Sequence, residues 1–248
     1  MAPLQRSTFV TPAVLLVALL SALLLTFAPS AQAATTGSGR VVTESRAVAG
    51  YDAIAVAGSL DVVVRQGGRE AVEVSADDNV LPLVETVVEA RRLVVRMRPG
   101  TSLRSHSPIR VAVDVLQLSA LSLSGSGDAI VGPLKAATFE LAISGSGDAR
   151  IERIEADSLG VAVSGSGDVR AAGRAGALRV RIAGSGDVDL REVVAAEASV
   201  SIAGSGDAAI HATRSAEVRI AGSGDVTVHG QPPVLKSSVA GSGHVIRR

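Results

Sequence analysis

Seven copies of Gly-Ser-Gly, six of them followed by Asp, recur through the second half of this 248-residue chain and limit its fold more than any other feature. The copies begin at Gly125, Gly145, Gly165, Gly184, Gly204, Gly222 and Gly241, at spacings of 20, 20, 19, 20, 18 and 19 residues. Self-similarity at a nearly fixed period marks a repeat architecture, in which one unit cannot bury its own apolar face and stacking buries it.

Around each copy the hydrophobicity has period two. Phe139, Leu141 and Ile143 precede Gly145 with Glu140 and Ala142 between them; Leu178, Val180 and Ile182 precede Gly184 with Arg179 and Arg181 between them. The alternation resumes after the Asp, as in Val188-Asp189-Leu190 and Val226-Thr227-Val228. Such alternation turns one face of a strand to a core and the other to water. Each unit therefore reads as strand, turn, strand and a looser return. The first glycines of the motif, and with them Gly127, Gly147, Gly167, Gly186, Gly206, Gly224 and Gly243, suit a turn that needs positive φ or close backbone approach.

A β-meander of hairpins could use the same turn. Coiling is favoured because the strands before and after the turn carry different signatures that each repeat in register. The expected fold is all-β: a right-handed parallel β-helix, or solenoid, of about seven rungs of ~20 residues, stacked ~4.8 Å apart. The returns vary, as in Gly132-Pro133-Leu134-Lys135, Glu152-Arg153-Ile154-Glu155, Ala172-Gly173-Arg174 and Gly230-Gln231-Pro232-Pro233. A specific binding face is expected there, since irregular connections carry most binding chemistry.

Residues 41–115 continue the alternation irregularly and read as an N-terminal β cap on the repeat region, 116–248. Gly58-Ser59-Leu60-Asp61 looks like a degenerate copy of the turn. Gln66-Gly67-Gly68 suggests a hairpin between 62–64 and 72–74. Asp77-Asp78-Asn79 suggests a capped helical turn limited by Pro82. Further strands are expected at 92–98 and 109–115, with a loop between that contains His106.

Arg6, an apolar run over 14–28 and Ala31-Gln32-Ala33 form an export leader, so residues 1–33 are expected to be removed and 34–40 to be a linker. The protein is then expected to be exported, to the periplasm or to the extracellular space or cell surface. No later apolar run could span a membrane. There is no cysteine, so the core alone must hold the fold. Lys plus Arg and Asp plus Glu both number 24, which gives no overall basic field for nucleic acid or an anionic membrane.

The phrase YDAIAVAGSLDVVVRQGGREAVEVSADDNVLPLVETVVEARRLVVRM (51–97), followed by serial SGSGD, resembles the head GIN domain family of exported bacterial proteins labelled autotransporter adhesins. The resemblance covers about residues 41–248. It implies a β-superhelix similar to pectin-lyase-type solenoids without their catalytic residues, and a role in adhesion. A self-exporting autotransporter needs a membrane β-barrel with aromatic girdles. No such pattern follows the seventh turn, so another route to the surface is expected.

The candidate chemistry begins with the carboxylates of Asp128, Asp148, Asp168, Asp187, Asp207 and Asp225. In register they would lie about one rung apart and repel by ~0.9 kcal/mol per pair in water. Each is expected to accept hydrogen bonds from turn amides in the manner of an Asx cap. The alternative is a Ca²⁺-binding ladder of hard oxygen ligands. A polysaccharide lyase or hydrolase is a further alternative, disfavoured because Tyr51 and Phe139 are the only aromatic residues after the leader and no paired carboxylates stand out. His106, His211, His229 and His244 are too dispersed to suggest a metal cluster. No catalytic residue, resident metal or cofactor is expected. The reading is a non-catalytic envelope module that binds an envelope protein or surface polymer, with self-association through solenoid edges as a further outcome.

Overall fold

The alternating segments form strands that stack rung on rung, all in parallel register through the repeats. The computed structural model describes residues 34–104 and 107–248. The expected leader at 1–33 and the loop residue His106 lie outside them. On the first face the strands entering each turn align motif on motif, so that Gly125 pairs with Gly145, Gly145 with Gly165 and onward to Gly222 with Gly241. On the second face Ala129, Ala149, Val169, Val188, Ala208, Val226 and Val245 form one column. The returns supply a third face, with Leu134, Ile154, Gly173 and Val193 in register.

Period two along each strand turns one column after another inward. Leu141, Val161, Val180, Val200 and Val218 stack along the core and are each no more than 2% exposed. Burying a side chain of this kind contributes about 1.5–3 kcal/mol, which is how a chain without disulfides holds together. The unequal repeat lengths are absorbed outside the first face and its turns. Register shifts fall between Ile151 and Ile154, Arg170 and Ala172, and Leu190 and Val194, where the second face passes into the return, and again between Ala195 and Glu197 within the return.

The first rung of the stack is interleaved. Ala53–Gly58 and Leu60–Gln66 pair on one side with Ala120–Gly125 and Ala129–Val131. On the other side they pair with Arg92–Met97 and Ile109–Val115, which come later in the chain. Residues 116–119 then cross from one side of this rung to the other. The expected hairpin at Gln66-Gly67-Gly68 does not form. Ile109–Val115 lies between the two would-be partners, parallel to Leu60–Gln66 and antiparallel to Ala71–Asp77. Its alternating β-branched residues serve both neighbours, and the buried Tyr51 hydroxyl donates to Asp114 O at 3.0 Å.

Val84–Glu89 pairs antiparallel with Arg92–Met97, and Val41–Arg46 with Ala71–Asp77. The expected capped helical turn is a single 3₁₀ turn, Leu81–Leu83, with no side-chain cap. Asn79 is engaged elsewhere: its Oδ1 accepts Ser38 N–H and its Nδ2 donates to Thr36 O. Among the described residues no helix is long and apolar enough to cross a membrane.

Candidate functional site

The turn edge is built backbone to backbone. The first glycine of each repeat has φ between +129° and +144°, and its carbonyl accepts the serine N–H of the following rung, as from Ser166 to Gly145 at 2.9 Å. The second glycine is required by proximity: a Cβ on Gly147 would lie 2.1 Å from Gly127 O. Leu60 stands at this second position in the interleaved rung. Its own neighbour on the other side is Ile109, the start of a strand and not a glycine of a turn. The leucine is completely buried.

The aspartates form a ladder between rungs. Asp148 N–H donates to Asp128 Oδ1 at 2.9 Å, Asp168 to Asp148 at 2.9 Å, Asp187 to Asp168 at 3.0 Å, Asp207 to Asp187 at 2.9 Å and Asp225 to Asp207 at 2.7 Å. The amide that each carboxylate takes belongs to the next rung and not to its own turn. The ladder extends one step beyond the six motif aspartates at both ends. Asp61 accepts from Asp128 at 3.2 Å, and Asp225 accepts from His244 at 2.7 Å. Among the described residues no group of three or more His, Asp or Glu could hold a metal ion.

His211 and His229 are eighteen residues apart in the chain yet are register partners on adjacent rungs. Sequence distance concealed that pairing. Burial, followed by the charges of Arg191 and Arg248, holds the His229 imidazole below its ordinary value.

A groove of about 1120 Å³ opens where the third face meets the crossing segment 116–119. Small residues Ala136, Ala137, Ala156, Ala175 and Gly176 line it, together with Lys135, Glu155, Asp157 and Arg174. It exists because the interleaved rung has no return strand of its own. Gln66 stands in for one: its Nε2 donates to Lys135 O at 3.1 Å and its Oε1 accepts Lys135 N–H at 2.7 Å. Leu116, also on the groove, is 49% exposed.

Lys135, Glu155 and Arg174 form a column of alternating charge across three rungs. Arg174 lies 2.9 Å from Glu155 and holds its carboxyl below the usual range, chiefly through the hydrogen bond and then through its charge, with Lys135 and Arg153 adding to the effect. Glu155 is therefore ionised and not a proton donor near neutral pH.

The same fold is found in a "putative adhesin" from Bacteroides fragilis NCTC 9343, 21% identical, with a TM-score of 0.83, covering 86% of this chain and 100% of that one. A "putative lipid binding protein" from Parabacteroides distasonis ATCC 8503 is 24% identical with a TM-score of 0.74, covering 87% of this chain and 100% of its own. A "putative adhesin" from Parabacteroides merdae ATCC 43184 is 22% identical with a TM-score of 0.69, covering 86% and 98%. No curated protein matches the chain. The family described as "Putative auto-transporter adhesin, head GIN domain" matches residues 50–232. That match spans most of the solenoid and its cap, and the chain belongs to this family.

Proposed function

We propose that the protein is an exported, non-catalytic binding module that contacts an envelope protein or surface polymer through the groove on its return face. The observation that carries this reading is the groove itself: a long recess with small residues on its surface and the Lys135–Glu155–Arg174 column beside it. Small side chains let an extended partner approach the backbone, and fixed charges of both signs select its polar groups. Family membership and neighbours described as adhesins favour adhesion over catalysis. The calcium alternative is weakened because each ladder carboxylate commits Oδ1 to an amide. The polysaccharide-enzyme alternative is weakened by the engagement of Glu155 with Arg174. Export rests on the leader read over residues 1–33.

Adhesion of beads coated with residues 34–248 to envelope preparations tests the reading. Ala137→Trp, which fills the groove, should abolish capture; Ala221→Trp, exposed on the first face, should leave it intact. Equal capture by both variants would overturn the assignment of the groove. Capture replaced by concentration-dependent oligomers would favour self-association through the edges.

A further inference from the structure

The balanced charge of the whole chain conceals a local imbalance at its C-terminal rung. Between residues 230 and 248 there are three cations, Lys236, Arg247 and Arg248, and no carboxylate side chain. Val234–Gly241 and Val245–Arg247 pair with the preceding rung on one side. Among the described residues nothing pairs with the other side.

This rung also breaks the core columns. Ser237 stands in register with Val218, and Arg247 with Val228, where it donates to Pro232 O at 2.6 Å. Val239 is 41% exposed although its partner Ile220 is 3% exposed, and Val234 and Ile246 are 48% and 40% exposed. Within the rung itself these apolar side chains alternate with cations and no acid. The nearest carboxylates, Glu217 in register with Lys236 and Asp225 beside His244, belong to the rung before, so the outermost layer is the one suited to lipid headgroups.

We propose that the C-terminal rung is a docking tip that seats the protein on an anionic lipid surface. Charge decides between this and a second copy of the chain. A two-fold contact would set Lys236, Arg247 and Arg248 against the same patch of the partner, since such an interface pairs a patch with itself. Anionic headgroups neutralise those cations and also accept from the unpaired edge amides. The tip rests at headgroup depth, because bare strand edges are costly in hydrocarbon.

The test is co-sedimentation of residues 34–248, the compact unit that carries the described core, with phosphatidylcholine vesicles prepared with and without phosphatidylglycerol. The apolar run at 14–28 is left out because it would bind vesicles by itself. Binding is expected only with phosphatidylglycerol and should weaken with salt. The double variant Lys236→Gln/Arg248→Gln changes two exposed side chains and should bind about thirtyfold more weakly at an unchanged melting temperature. Val239→Ser/Ile246→Ser should weaken binding independently of salt. Absence of binding, equal binding to both vesicle types, or undiminished binding by the charge variant would overturn the proposal. So would a concentration-dependent dimer, without vesicle binding, that the charge variant abolishes. The groove variant Ala137→Trp should bind vesicles normally, which separates this result from failure of the adhesion reading.

Discussion

Asp148 Oδ1 accepts the backbone N–H of Asp168 at 2.9 Å, one rung further along the stack. A carboxylate that repels its neighbours thus also joins their backbones. Asp148→Ala removes the acceptor and should cost about 1 kcal/mol, lowering Tm by about 2–4 °C. Asp148→Asn keeps an acceptor oxygen and relieves the repulsion, so it should melt within about a degree of the parent protein. Equal losses in thermal denaturation would show that charge, not the inter-rung bond, is what the ladder supplies.

Neither kind of residue at the second turn position should tolerate being changed, glycine to a larger residue or leucine to glycine. Gly167→Ala places a Cβ 2.1 Å from Gly147 O and should destabilise by several kcal/mol. Gly165→Val, with a side chain forced to φ +129° as well, should be at least as damaging. Leu60→Gly restores the motif yet empties a fully buried site, so it should cost about 3 kcal/mol or more. Urea midpoints for the three variants check this; a Leu60→Gly protein as stable as the parent would contradict the account of the interleaved rung.

Tyr51 is the only tyrosine in the chain, so its titration can be read directly from tyrosinate absorbance. Burial, and then the charges of Glu70 and Asp114, push its hydroxyl up to about 12 from 10.0. Because the folded value lies above the unfolded one, its contribution to stability is fully present below pH 10 and is lost as pH rises through about 12. The absorbance midpoint should fall near 12 in the folded protein and near 10 in urea. Tyr51→Phe loses the bond to Asp114 O and should cost about 1 kcal/mol.

Calcium should leave the melting curve in place. A site filled at a hundred times its dissociation constant would add about 2.7 kcal/mol, a rise of several degrees. Differential scanning calorimetry in Ca²⁺ and in EDTA should agree within about a degree. A separation of several degrees would establish the aspartate row as an ion site.

The repeat made the solenoid legible because motif spacing and two-residue alternation both reach down to single positions such as Leu141 and Val161. Less legible was anything decided by which strand lies beside which. Val72–Val74 and Val111–Val113 carry the same alternation, and no local rule says that the second inserts beside Val62–Val64. The groove shares that origin: Lys135 belongs to a return segment and Gln66 to the cap, and only the interleaving sets one against the other. The donor for each aspartate was hidden for a related reason, since an amide about twenty residues away is not a local partner. His211 and His229 meet by the same register.

The interleaved rung also orders events in time. A chain emerging from its N-terminus makes Ala53–Gln66 early, but the strand beneath this segment is not complete until Val115. Until then the future template has two bare edges, exposed to wrong pairing. Once residues 92–115 have closed the lower edge and Ala120–Val131 the upper one, each later repeat needs only to settle on a finished surface. Assembly thus passes from one slow, non-local closure to a run of short additions, and the chain needs protection chiefly before that closure.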